Sequence, residues 1–384
     1  MARHEKTARD GKYDCVIIGG GHNGLTAAAY LAKANKKVCV LERRHVLGGA
    51  STTEELWPGY KVSTAAYVIS LFLPEITQDL KLKEYGLKVL PRSPSSFTPT
   101  HDGQYLLLGS DASSNHREIS KFSSRDAEAF PRYEALLEQV AELLEPVLAQ
   151  SAPDLLPMPG SWRRIGIRKW FRDLRKAWKL YRALGKLEDR LPEALELLAG
   201  PARPILERWF ESEVLKATLA TDAVIGSFGS ISAPGSAYVL LHHVMGEAGG
   251  ARGVWGYVQG GMGGLSDAIA AAARDLGVEI RRESEVARIT TGPRGTTGVL
   301  LADGSRIEAK VVASSLDPHQ TFVRLLEPDV LPPAFRQAID RIDYSSASAK
   351  INLALSEPPK FSCVGHETAG EIPGVQPYHH GTMH

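Results

Sequence analysis

Cysteine is nearly missing from this chain: Cys15, Cys39 and Cys363 are the only three in 384 residues. They form no C-x-x-C pair and no metal-ligand spacing, which disfavours a disulfide scaffold, a zinc site and a redox dithiol. Cys15 and Cys39 are expected instead as buried thiols in strands. Long apolar runs are missing too. The richest, "YVISLFL" at 67–73, falls far short of the roughly 18 residues a spanning helix needs. Neither sign of charge dominates: the formal net charge is +1, so the whole chain has no bias toward nucleic acid. The start, "MARHEKTARDGK", carries no apolar h-region of a secretory signal. With 43% hydrophobic and 23% charged residues, the rest is ordinary globular composition, and the length calls for more than one domain.

Glycine, by contrast, is concentrated. "YDCVIIGG" (13–20) reads as a buried strand rich in β-branched residues and ended by glycine. "GLTAAAYLAKAN" (24–35) reads as an alanine-rich helix, and "KKVCVLE" (36–42) as a second buried strand. Together they make a βαβ unit of about 30 residues. Gly19, Gly21 and Gly24 fill the G-x-G-x-x-G spacing. Their roles are a tight turn, close backbone approach to a pyrophosphate, and close helix–strand packing. The helix N-terminus offers free N–H groups to phosphate, and Glu42 ends the second strand where an acid accepts from ribose hydroxyls. These features point to a dinucleotide; the alternative is a glycine turn that holds nothing.

A second turn, Gly48-Gly49 in "RRHVLGGAS", comes too soon to begin another βαβ unit. Flavoproteins of the glutathione-reductase-like superfamily carry such a pair beside the FAD pyrophosphate, preceded by a basic residue. Arg43 or Arg44 would supply that charge, an exposed arginine being the alternative. A third cluster, "WGYVQGGMGGLSDAIAAAARDLGVEI" (255–280), has Ser266 where a further glycine would stand. After its helix, "VEIRR", "EVARITT" and "TTGVLLADGSRIEAKVVASS" read as a β-meander, with Asp303-Gly304 as a hairpin signal. A separate nicotinamide domain is therefore disfavoured.

At these residues the chain resembles the phytoene desaturase and amine oxidase branch of FAD-dependent oxidoreductases. "ERRHVLGGASTTEE", "WFESEVLKATLATDAVIGS", "YVLLHHVMG" and "WGYVQGGMGGLSDAIA" carry the resemblance, which runs from Tyr13 nearly to the end. It implies an α/β fold: a doubly wound, glutathione-reductase-like FAD-binding Rossmann domain with an inserted α+β substrate domain. It implies FAD contacts at Gly19, Gly21, Gly24, Glu42, Gly48 and Gly49, and adenine at the backbone of Val286. Gly260, Gly261 and Gly263 would lie at the turn entering the helix beside the flavin region. The expected segments are 13–90 and 251–320 for FAD, 91–250 for a mainly helical substrate domain, and 321–384 opening its second part. Family members close the flavin site with a further glycine- and proline-rich segment. None follows Ser315 here, so a C-terminally truncated chain is expected. The resemblance also implies the mitochondrial matrix for a eukaryotic member and the cytoplasm for a bacterial one.

The expected function is hydride transfer from a C–H bond of an apolar or amine-like small molecule to FAD, with no catalytic residue singled out. A non-catalytic binding protein like the Rab GDP-dissociation inhibitors, or a nicotinamide-dependent dehydrogenase, stands as the alternative. "SRDAEAFPRYEALLEQVAELLEPVLAQ" (124–150) is expected as a core-facing helix through Leu136, Val140, Leu143 and Val147. "WRRIGIRKWFRDLRKAWKLYRALGK" (162–186) holds ten basic residues and one acid. Its apolar stripe of Ile167, Phe171, Leu174, Trp178, Tyr181 and Leu184 either packs inward or meets an anionic membrane surface. Adjacent His242 and His243 point about 100° apart on a helix, so one packed and one exposed ring are expected. One of them facing the substrate would be the alternative.

Overall fold

The computed structural model describes residues 12–148, 151, 153, 167–187, 190–248, 251–346, 348–364 and 376–383. The elements used below begin with β1 (Tyr13–Ile18), α1 (His22–Lys33), β2 (Val38–Leu41), β3 (Thr53–Trp57) and β4 (Tyr60–Ser63). Next come β5 (Ser96–Pro99), β6 (Tyr105–Leu108), α2 (Ser124–Leu148), α3 (Ile167–Gly185) and α4 (Ser236–Val244). The last are α5 (Gly263–Asp275), β7 (Glu279–Arg281), β8 (Val286–Gly292), β9 (Gly295–Leu301), β10 (Arg306–Ser314) and β11 (Thr382–Met383).

The chain divides into two units. The first comprises residues up to Leu90, Gly256–Ser345 and Lys350–Ala354; the second comprises Pro91–Trp255, Ser346–Ala349 and Leu355–His384. Residues 321–345, expected to open a second substrate segment, cluster with the first unit instead.

Unit 1 is built on one sheet of order β7-β2-β1-β10-β9-β8. β1 pairs in parallel with both β2 and β10, while β8, β9 and β10 form an antiparallel meander. Residues of β1 alternate between two cores, as the strand period requires. Cys15 and Ile17 face a layer containing α1 and α5; Val16 and Ile18 face the meander residues Val286, Ile289, Val299 and Leu301. Ala28, Ala29 and Ala32 of α1 lie in the same core as Ala268, Ala272 and Ala273 of α5, small side chains that let two helices approach closely. Leu25 and Ile269 are fully buried, each contributing about 1.5–3 kcal/mol. One expectation is corrected: "VEIRR" is no part of the meander. Its β7 runs parallel to β2 at the edge of the sheet, because α5 returns the chain in the direction of β2.

Unit 2 has a helical core and a small sheet of order β11-β5-β6. Along α2, Tyr133, Leu136, Leu137, Val140 and Ala141 are buried and Leu143 packs against them; the Val147 side chain lies outside the described residues. Tyr133 meets Phe210 edge-on at 5.1 Å. The fully buried Asp126 accepts backbone N–H groups of Glu211 (2.9 Å) and Ser212 (2.8 Å), which compensates the cost of burying its charge.

Candidate cofactor site

The first glycine turn joins β1 to α1, and its glycines answer to different demands. Gly19 has φ +99°, in the left-handed region, and a Cβ there would meet Ser315 Oγ at 2.5 Å. A Cβ on Gly24 would stand 2.3 Å from the Gly19 carbonyl oxygen. Gly21 is different. Its nearest neighbours would be backbone atoms of Gly48 and Gly49 at 3.7 Å and 3.9 Å, ordinary contact distances. The fold therefore needs Gly19 and Gly24 for itself, whereas a Cβ on Gly21 would fit in ordinary contact with the Gly48-Gly49 backbone. Gly21 also stands at the N-cap of α1, where no side chain caps the helix. Its first N–H groups are available to an anion, backed by the positive end of the helix dipole. His22, the first helical residue, is held below its usual pKa by burial, which favours the neutral ring.

The Gly48-Gly49 turn closes over this loop. Gly48 N–H donates to the Gly20 carbonyl (2.9 Å), and Gly21 and Gly48 form a parallel bridge. Ser51 Oγ donates to the Gly48 carbonyl (2.8 Å) and lies 2.6 Å from Ser266 Oγ, fixing the turn to α5. Ser266, the departure from a glycine pattern, is thus a structural tie. Glu42 is buried, and its carboxylate accepts from Gly20 N–H (2.8 Å) and Arg44 N–H (2.9 Å). Two acceptor positions remain on a group with about four. Arg44 is engaged by Glu54 in a two-pronged ion pair at 2.8 Å and 2.7 Å, while Arg43 is exposed. Beyond Glu42 a cavity of about 450 Å³ is walled by Arg43, Arg44 and His45, by Glu283–Glu285, and by Leu301–Asp303. Val286 follows that second wall directly and is buried.

The third glycine cluster reads differently. Cβ atoms on Gly261 and Gly263 would meet Thr53 at 2.4 Å and 3.0 Å, while Gly260 has φ +81° with open space around it. Thr53 Oγ1 accepts from Gly263 N–H (2.8 Å) and Ser63 Oγ from Met262 N–H (2.9 Å). β3 and β4 thus cap α5, and Gly261 and Gly263 make room for them. Sequence reading missed Ser315 as well. Its hydroxyl donates to the Ile18 and Gly19 carbonyls at 3.2 Å each, a contact across 296 residues that no local pattern signals.

The histidine expectation is corrected: neither ring of α4 is exposed. His243 accepts or donates through Nδ1 at the Val239 carbonyl (2.7 Å) and stacks on Trp255 at 5.4 Å, while His242 stacks on Tyr238 at 5.9 Å. Cys15 and Cys39 are buried free thiols, with Cys39 pushed up to about 12 by burial. Among the described residues, no group of three or more His, Cys, Asp or Glu is placed to hold a metal.

On α3 most of the apolar stripe does not pack inward. Asp173 is buried within reach of Lys176 (3.7 Å), and Leu184 packs on the core. Trp170, Phe171, Leu174, Trp178 and Tyr181 face solvent, with Trp178 59% and Tyr181 68% exposed. Trp162 to Gly166 lie outside the described residues.

A mixed α/β sheet with a G-x-G-x-x-G turn at an uncapped helix N-terminus has the form of a dinucleotide-binding fold. The particular family follows from comparison. The chain belongs to the flavin containing amine oxidoreductase family, whose profile matches residues 24–379, and FAD is the cofactor that membership implies. It is 45% identical over 379 residues to pyridine nucleotide-disulfide oxidoreductase domain-containing protein 2 of Rattus norvegicus, covering 96% of this chain and 63% of the rat protein. A component of the limonene dehydrogenase of Castellaniella defragrans is 29% identical over 375 residues, covering 93% and 62%. The solved structure of wild-type putrescine oxidase bound to putrescine shares the fold, with TM-score 0.52, 18% identity and coverage of 86% and 63%. The chain thus spans under two thirds of the length of these relatives.

Proposed function

We propose that the whole protein is an FAD-dependent oxidoreductase acting on a C–H bond of an apolar or amine-like small molecule. Bound FAD supplies the hydride-accepting chemistry that side chains lack. This chain's residues bind and order. Gly21 and the α1 N-terminus seat the pyrophosphate, Gly48-Gly49 borders it, and Arg43 is the free cation nearby, since Glu54 occupies Arg44. The spare acceptor positions of Glu42 take ribose hydroxyls, and the cavity ahead of Val286 takes the adenine. Gly261 and Gly263 position α5 against β3, and with Gly260 they form the turn that enters the helix beside the flavin region. The uncapped α1 N-terminus at Gly21, between glycines whose space the fold itself fills, carries this reading. The substrate class is supported by a relative named for dehydrogenation of limonene, a hydrocarbon, and by the amine named in the family description.

The test is the visible spectrum of purified residues 1–384, with identification of any released chromophore. A yellow protein releasing about one FAD per chain is expected. A colourless soluble protein overturns the flavin reading in favour of a binding protein on the same fold, and released NAD favours a nicotinamide enzyme.

The working place proposed for it is an anionic membrane surface met by α3. The supporting observation is that aromatic residues face solvent on one side of the helix, beside exposed Arg172, Arg175, Lys179 and Arg182. Aromatic anchors next to cations suit an interface with acidic headgroups. Liposome flotation should show binding to vesicles with phosphatidylserine, weakened by Phe171→Ser with Trp178→Ser. Equal, weak recovery with neutral and acidic vesicles overturns it.

A further inference from the structure

Unit 2 encloses a cavity of about 450 Å³ that plays no part in the cofactor site. Three buried side chains on its wall carry polar atoms with no hydrogen-bond partner among the described residues: Arg92 Nε, Ser96 Oγ and Tyr133 Oη. Arg92 is 8%, Ser96 7% and Tyr133 2% exposed. Buried polar atoms are nearly always paired, so three without a partner among the described residues on one cavity wall point to a ligand there. All three can donate, and Arg92 can only donate.

Arg92 is fixed rather than free. Its Nη1 donates to Thr382 Oγ1 at 2.6 Å, its guanidinium lies 5.1 Å from the Trp255 ring, and its backbone N–H donates to the Trp255 carbonyl at 2.8 Å. It forms no ion pair among the described residues. Asp222 also lines the cavity. Burial raises its carboxyl above the ordinary range, although His243 and Arg92 pull it back. Glu134 and Glu138 line the cavity as well, and burial together with Glu138 pushes the Glu134 carboxyl up to about 7. The remaining wall joins apolar side chains, including Leu108, Phe130, Leu137 and Leu240, with the polar Ser95, Asn115 and Thr218. A fixed cation and two unpartnered hydroxyls beside apolar side chains match an acceptor-rich anionic head on an apolar body.

We infer that this cavity binds a small carboxylate with an apolar body, its carboxylate held by Arg92, Ser96 and Tyr133. The inference needs no flavin, so it can fail without touching the cofactor reading. Water alone could fill a polar cavity of this kind, and the experiment separates the two.

Titration calorimetry on residues 1–384 would use decanoate, decan-1-ol and decylamine, each below micelle-forming concentration. Saturable binding of decanoate with one site per chain is expected, at least tenfold tighter than the alcohol or the amine, given the strength of charge-assisted hydrogen bonds. Tyr133→Phe removes only an unpartnered hydroxyl, so its Tm should hold or rise while decanoate affinity falls several-fold. Arg92→Met should abolish the preference for decanoate over decan-1-ol. No saturable binding, equal affinity for all three probes, or a Tyr133→Phe variant that binds decanoate as tightly as the parent overturns the inference.

Discussion

Two glycine turns in unit 1 look alike as text and differ in what occupies the space around them. At 19–24 a Cβ on Gly21 would meet only ordinary contacts, while on Gly19 or Gly24 it would strike backbone or Ser315. At 260–263 the corresponding space before Gly261 and Gly263 is filled by Thr53. The first turn has a glycine that packing does not require; at the second, two of the glycines make room for a hairpin against a helix. A glycine motif is therefore interpreted by the atoms that would meet a side chain, and spacing alone does not distinguish the two.

Substitution to alanine is the direct way to break this contrast. Gly24→Ala should have the largest effect, because its Cβ would be driven into the Gly19 carbonyl, which cannot move without undoing β1. A loss of about 3 kcal/mol or more is expected, read by urea denaturation. Gly261→Ala should cost about 1–2 kcal/mol through its left-handed backbone and the Thr53 side chain. Pairing it with Thr53→Ala should give less than the sum of the two losses if side-chain crowding is the cause. Ser266→Ala should cost about 1 kcal/mol, since Ser51 keeps its bond to the Gly48 carbonyl. Gly21→Ala sharpens the contrast most. Its stability should stay within about 0.5 kcal/mol of the parent, because the added Cβ makes only ordinary contacts, while FAD retention falls roughly tenfold or more. A Gly21→Ala protein that keeps its full flavin content would remove the distinction between the turns.

Local patterns made part of the fold legible. β1, α1 and β2 could be read from "YDCVIIGG" to "KKVCVLE" because apolar runs, glycine and helical periodicity lie close together there. α2 was legible for the same reason, through Leu136 and Val140 at helical spacing. What escaped depended on distant partners. β7 is three half-buried residues with no alternation, so only its pairing with β2 shows it to be a parallel strand. The role of Thr53 lies 210 residues from Gly263. On α3 the apolar stripe was visible, but the helix docks through Asp173 and Leu184, and burial of an aspartate cannot be read from its neighbours. Of the candidate cofactor residues, Glu42 was placed by its position after β2, while its grip on Gly20 and Arg44 N–H groups emerged only in three dimensions.

β1 obtains one neighbour from β2 soon after it is made and the other from β10, whose following residue Ser315 bonds Gly19 across 296 residues. At ribosomal speeds of about 5–20 residues per second, that gap amounts to on the order of 15–60 seconds of synthesis. Throughout that interval a nascent chain holds an apolar parallel strand with one side unpaired, a template for association with other chains. The unit that begins first is thus completed only after the whole of Pro91–Trp255 has been synthesised.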